Sequence, residues 1–339
     1  MVDSERVTGV AHPAEPLRAR ALPPNSPELP HSPGAAAPRW HVLRPQSPDS
    51  PQALQSRRAR PSPWPEVGPG PGSSPGLRSR DARGGRARVV LRRDLGDFGS
   101  PAARPLRVRR GLAPLAPLAP TFCVDTAAPE VALTYDDGPD PAHTPGLLDL
   151  LAERGVRATF FVLAEAAEAH PELVRRIVAE GHELALHGRD HARLTRMPAR
   201  AAVAEIAAAR DLVQRVSGAP VRLFRPPYGA HTPAMLWGWR RLGLDVVIWS
   251  GWAADWQDDP AELIAERARA AVHPGGILLL HDTRADPGTL GPGERMPSFD
   301  RAEATALLLD RLPGWQPRTV GDLLARHRRV RAVIRELWT

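Results

Sequence analysis

Val131-Ala132-Leu133-Thr134-Tyr135-Asp136-Asp137-Gly138-Pro139 reads as a buried strand that ends on two adjacent carboxylates before a Gly-Pro turn. Two acidic side chains at the end of a buried strand repel each other and are costly to desolvate, so a divalent cation nearby is the usual compensation. Further along stands His187-Gly188-Arg189-Asp190-His191, two imidazoles at i, i+4, a spacing that suits one face of a helical turn. One Asp with two His is a three-ligand set that leaves a position open for water, as in catalytic rather than structural sites. Each element alone has a plainer reading. One Asp could cap the next helix while the other is solvated, and a single His-x-x-x-His is a weak signal.

The pattern around the opening stretch repeats. Short runs that read as strands, Val131–Thr134, Ala158–Val162, Glu183–His187, Arg222–Arg225, Asp245–Ser250 and Gly276–Leu280, alternate with amphipathic stretches. These stretches, Pro145–Arg154, Pro171–Glu180, Ala199–Val216, Pro233–Leu242 and Pro260–Val272, read as helices. Several close on Gly155, Gly181, Gly218 or Gly243, the expected stop signal. Such alternation implies parallel strands with crossover helices, hence an α/β barrel or a doubly wound sheet. In both, chemistry gathers at the C-terminal ends of the strands. Asp136 with Asp137, His187 with His191, Arg225, Asp255 and His281 all fall at such ends.

Composition divides the chain near residue 120. Of its 39 prolines, 22 lie in residues 1–120, with 19 Arg against 9 acidic residues. The excess positive charge therefore belongs to this extension, which cannot bury enough apolar surface to offset its ordering entropy and is expected to be disordered. It would also arise from a misassigned upstream start in GC-rich coding DNA. The absence of lysine fits the same nucleotide bias. A basic arm can bind nucleic acid or anionic lipid, but no nucleic-acid partner is expected for the domain over 121–339. The repeat Leu112-Ala113-Pro114, Leu115-Ala116-Pro117, Leu118-Ala119-Pro120 reads as a stiff linker. No apolar run reaches the roughly 20 residues of a membrane span, and no signal peptide is visible as written. The single Cys123 excludes an intrachain disulfide.

Three further clusters carry polar chemistry. Arg225-Pro226-Pro227-Tyr228-Gly229 presents a guanidinium at a strand end, able to hold a carboxylate, with the Tyr228 backbone N–H a candidate oxyanion donor. Leu278-Leu279-Leu280-His281 ends the last clear strand, where a histidine can protonate a leaving amine. Trp249, Trp252 and Trp256 crowd one loop and offer faces for sugar rings, while Asp255 could be the carboxylate that orients Arg225. Trp237 and Trp239 read as packing residues, and His143, His170 and His182 as surface, cap or structural histidines.

The ordered series Thr134–Pro139, His187–His191, Arg225–Gly229, Asp255-Trp256 and Leu279–His281 resembles the five motifs of the polysaccharide deacetylases, the NodB-like carbohydrate esterase family 4, over roughly residues 129–325. The resemblance implies a distorted (β/α) barrel of about seven parallel strands following the disordered N-terminal extension. It implies one divalent metal, with Zn²⁺ foremost and Co²⁺, Ni²⁺ or Mn²⁺ as alternatives, held by Asp137, His187 and His191. It makes Asp136 the base, His281 the acid, Arg225 the clamp on Asp136 and Asp255 the partner of Arg225. Leu279 and Trp256 would line the acetyl pocket, with the Tyr228 amide in the oxyanion hole. The implied activity is removal of N-acetyl groups from an amino-sugar polysaccharide by a monomer, and such a substrate points to the cell envelope or outside the cell. An O-acetyl esterase, a small-molecule N-acyl amidohydrolase and a non-catalytic binding protein are the other readings. Two positions depart from the family pattern: Tyr135 stands where Phe is common, adding a hydroxyl that needs a partner, and Gly188 where Ser or Thr is frequent. The Gly- and Pro-rich segment Arg284–Asp300 reads as a substrate-facing lip without a family template.

Overall fold

The structure, a computed structural model, describes residues 88–92, 116, 118–286, 290 and 293–334, with the side chains of 88–92 and 333–334 left aside. Most of the extension over 1–120 lies outside the described residues. Two parts of it are among the described residues. Residues Arg88–Arg92 form strand β1. Ala116 and Ala119 are held by their carbonyls, which accept hydrogen bonds from Arg240 (3.2 and 2.6 Å).

In chain order there follow β2 (Thr121–Asp125), β3 (Glu130–Asp136), α1 (Thr144–Glu153), β4 (Thr159–Leu163), α2 (Ala164–Ala169), α3 (Pro171–Ala179), β5 (Glu183–Gly188) and α4 (Ala199–Ser217). Then come β6 (Leu223–Phe224), α5 (Pro233–Arg241), β7 (Asp245–Val246), β8 (Gly251–Trp252), α6 (Ala261–Ala271), β9 (Gly276–His281), α7 (Arg301–Asp310), β10 (Gln316–Arg318), α8 (Val320–Arg326) and β11 (Arg328–Ile334). All five expected helices form within about a residue or two of the expected limits. Prolines open five helices, where the missing N–H costs nothing and φ is already near the helical value: α1, α3 and α5 carry Pro within their first two positions, and Pro198 and Pro260 immediately precede α4 and α6.

The strands β9-β3-β4-β5-β6-β7 lie side by side, and every neighbouring pair is parallel. The chain then runs from β7, on β6, to β8, which pairs in parallel with β9. Residues 245–252 thus begin on one edge of the sheet and end on the other, closing it into a distorted barrel of seven parallel strands. β2 and β11 add an antiparallel edge, with β11 against β2 and β2 against β9.

Side-chain alternation along these strands sorts two cores. Val131, Leu133, Tyr135, Phe160, Val162, Leu184, Leu186 and Phe224 face outward and pack under the helices. Val124, Ala132, Phe161, Ala185, Leu223, Val247 and Ile277 face inward, where Val320, Leu323 and Leu324 of α8 plug the floor. The period of two then determines what stands above that plug. Two residues beyond Ala132, Ala185, Leu223 and Ile277 come Thr134, His187, Arg225 and Leu279, and two further on β3 and β9 come Asp136 and His281. The inward face changes from apolar floor to polar mouth within one turn of the pleat. Tyr135 faces outward, and its hydroxyl finds the partner it needs in Thr305 Oγ1 at 3.1 Å. Trp239 is fully buried, whereas Trp237, expected to pack, is 53% exposed. Among the described residues no helix is long and apolar enough to cross a membrane.

Candidate metal and catalytic centre

Asp137, His187 and His191 converge at the mouth. Asp137 Oδ1 lies 3.3 Å from His187 Nε2 and 3.4 Å from His191 Nε2. The geometry is not the single helical face expected from the spacing. His187 ends a strand, Gly188 turns the chain at φ 125°, and His191 sits in the left-handed region at φ 63°. This explains Gly188 as well. A Cβ there would be strained by the backbone and would approach Pro227 Cγ at 3.3 Å.

The donor set fits a cation. His187 Nδ1 donates to the Arg225 carbonyl at 2.8 Å and His191 Nδ1 donates to Asp286, so the nitrogen each ring has left for a cation is Nε2, the one that faces Asp137. Asp137 Oδ1 is buried with no hydrogen-bond partner. Two nitrogen lone pairs and a carboxylate oxygen facing one point, each buried or nearly so, call for a positive ion.

Asp136, 1% exposed, is held differently. Arg225 Nη1 donates to Asp136 Oδ1 at 2.6 Å and to Thr134 Oγ1 at 2.9 Å. The Arg225 guanidinium is fully buried, 4.0 Å above the Phe161 ring and 5.7 Å from that of Trp249. Burial lowers its pKa, and Asp136 offsets part of that. The remaining Asp136 oxygen, Oδ2, lies 3.7 Å from His187 Nε2.

The expected Asp255–Arg225 pair does not form. Asp255 follows β8, whose register against Leu278 and Leu279 places it over β9 and not over β6, where Arg225 arises. Its carboxylate accepts instead from His281 Nδ1 at 2.9 Å, the His281 backbone N at 2.7 Å and Arg301 Nη1 at 3.2 Å. Burial disfavours the His281 imidazolium, but Asp255, with help from Asp137 and Asp136, raises its pKa to about 9. The neighbouring Asp282 is pushed up to about 7 by burial, despite a 2.7 Å bond from Thr144, with the Asp137 charge adding to the rise. Its carboxylate occupies the space that a Cβ on Gly138 would take, at 2.0 Å.

A cleft of about 260 Å³ joins these groups. Asp136, Asp137, His187, His191 and His281 line it, with Tyr228, Trp249, Trp256 and Leu279 as its walls. Arg225 lies beneath, against Asp136, His187 and Trp249 of the lining. Among the described residues, three of the four non-glycine residues with positive φ, Asp137, His191 and Tyr228, belong to this site, the kind of backbone strain that persists where surrounding structure over-determines it. Sequence reasoning missed Arg301, Arg284 and Asp286. Arg301 had no signal beyond its place after the Asp300 cap. Arg284 and Asp286 lie in the segment read as a lip, and both line the cleft.

The sequence model described as polysaccharide deacetylase matches residues 124–247. A chitooligosaccharide deacetylase of Sinorhizobium fredii is 41% identical over 158 residues, 46% of this chain and 74% of that one. The peptidoglycan-N-acetylmuramic acid deacetylase PdaC of Bacillus subtilis is 35% identical over 159 residues, 47% of this chain and 33% of that protein. Among solved structures, Bacillus subtilis PdaA, a family 4 carbohydrate esterase, superposes with a TM-score of 0.56 at 25% identity, covering 71% of this chain and 95% of that one. The chain belongs to the polysaccharide deacetylase family of hydrolases.

Proposed function

We propose that this chain is a metal-dependent deacetylase that removes N-acetyl groups from an amino-sugar polymer of the chitin or peptidoglycan kind. The observation that carries the reading is the pairing of an ionisable acid and a base across one metal-fitting cleft: Asp136 clamped by Arg225, and His281 charged by Asp255. The named activities of the relatives supply the substrate class.

A divalent cation bound by Asp137, His187 and His191, with zinc the best match to this N/O set, would polarise the acyl carbonyl and make water a better nucleophile. Asp136 takes the proton from the attacking water, and Arg225 holds that carboxylate in place through its 2.6 Å bond. As the new C–O bond forms, negative charge collects on the carbonyl oxygen, where the Tyr228 backbone N–H donates. His281, protonated below pH of about 9, gives its Nε2 proton to the sugar nitrogen as the C–N bond breaks. Acetate and a free amine leave. Leu279 and Trp256 wall the space for the acetyl methyl.

The test is acetate release by the full chain, with zinc or cobalt added, from acetylated chito-oligosaccharides, peptidoglycan and acetylxylan. Amide hydrolysis on the first two with Asp136→Asn inactive but still binding zinc is the expected result. Activity on acetylxylan alone would replace the amidase reading with an esterase one. No release from any of them would overturn both.

A further inference from the structure

We propose that Asp286 is a positioning residue for the metal site, holding His191 from the lip; this rests on the metal-dependent reading above. The two histidine ligands differ in how they are supported. His187 sits at the end of β5, within the sheet, and its Nδ1 is anchored on the backbone carbonyl of Arg225. His191 has no such frame. It lies in an irregular turn at φ 63°, past the end of the strand, so no ladder fixes its ring. Its Nδ1–H donates to Asp286 Oδ2, and the Tyr228 hydroxyl donates to the same oxygen.

The lip reaches the site at three successive residues. Arg284 Nη1 donates to the Trp256 carbonyl at 2.8 Å, the Ala285 amide donates to Asp137 Oδ2 at 3.0 Å, and Asp286 takes His191. Residues 285 and 286 thus touch two of the three candidate ligands, each on the atom opposite to the one facing the metal position. A carboxylate on the far nitrogen of a ligating histidine fixes its tautomer and ring angle and raises its basicity, and removing such a partner costs 10–100-fold in metal affinity. The first three residues of the segment that composition marks as a loop are therefore a brace for the proposed metal site.

The test is the zinc dissociation constant of the full chain, measured by competition with a chromophoric chelator, for wild type, Asp286→Ala and Asp286→Asn. Thermal unfolding of the metal-free proteins is run alongside. Asp286→Ala is expected to bind zinc roughly 10–100-fold more weakly with metal-free unfolding unchanged. Asp286→Asn, which keeps an acceptor without the charge, is expected to fall between it and wild type. An Asp286→Ala constant within about twofold of wild type overturns the inference. Loss of binding as complete as in His191→Ala overturns it too, by making Asp286 a ligand. Failure of wild type itself to bind zinc would sink the metal reading and not this step alone.

Discussion

Replacing Asp255 with Asn changes one charge in a space that keeps its shape, and it isolates what that charge does for His281. Asp255 offers one oxygen to His281 Nδ1–H at 2.9 Å and the other to the His281 amide and to Arg301. Asparagine has a single acceptor oxygen, so its NH₂ must face a donor on one side or the other. The electrostatic loss is larger. A unit-charge pair about 4 Å apart at an effective dielectric constant near 20 is worth roughly 4 kcal/mol, equivalent to about 3 pH units in pKa. His281 starts at about 9, so the variant imidazole should titrate near 6, with Arg301 left beside it as an uncompensated repulsion. The direction follows from the proposed role of His281 as acid. Activity needs the protonated ring, so it is full below the folded pKa and falls as pH rises through it. Wild-type kcat should fall through about pH 9, and that of Asp255→Asn near pH 6. At pH 7.5 the protonated fraction alone lowers kcat by on the order of 30-fold, and part of that returns on acidification. The assay is kcat for acetate release against pH at saturating chito-oligosaccharide, with the His281 ring followed by NMR titration. An alkaline limb that stays near pH 9 in the variant, or a loss of equal size at every pH, would refute the reasoning.

Three other substitutions test separate parts of the site. Arg225→Met removes the guanidinium that pairs with buried Asp136, and breaking such a pair should cost roughly 3–5 kcal/mol in urea unfolding and slow deacetylation by about 10²-fold or more. Zinc affinity should nevertheless hold, because His187 is anchored on the backbone carbonyl of residue 225; a large fall in affinity would contradict that division. Tyr135→Phe orphans Thr305 Oγ1 in the outer core and should cost about 1 kcal/mol, while Tyr135→Phe with Thr305→Val should recover most of it in a double-mutant cycle. Additive losses would mean that the 3.1 Å contact contributes nothing. Gly188→Ser, although it restores a residue frequent in the family, should destabilise by about 1–3 kcal/mol because φ is 125° here. Unchanged unfolding would show that the turn relaxes freely.

Much of this centre follows from periodicity. A strand with period two that starts on a buried floor must deliver every second residue to the same interior, so Ala132 leads to Thr134 and Asp136, and Ile277 to Leu279 and His281. That is why short motifs separated by long helices meet in one cleft, and why the alternation of elements was enough to expect parallel strands with crossover helices, the choice of a barrel over a doubly wound sheet resting on the family resemblance. The same logic also limits what one strand can say about another. Arg225 and Asp255 both follow apolar runs, and either order of neighbours is compatible with their places in the chain. The pairing is decided by residues 245–252, which leave β6 at Asp245 and reach β9 at Gly251. This crossing transfers Asp255 from Arg225 to His281. β7 and β8 are two residues each, too short for a pattern to reveal which neighbour they join.

The spacing of His187 and His191 was misleading for a related reason. An i, i+4 pair is helical only if the backbone between is, and Gly188 and His191 both take positive φ. Two nitrogens still arrive at one oxygen because the turn is compact, at the expense of the framework a helix would have supplied to the second histidine. The missing framework reappears as Asp286, far along the chain, in a stretch with no periodicity to read. Loops disclose their function through partners rather than pattern, and the partners of Arg284, Ala285 and Asp286 are Trp256, Asp137 and His191. Residues 284–286 and the proposed metal site are therefore joined, so substitutions at these three positions should alter metal retention as well as the cleft they line.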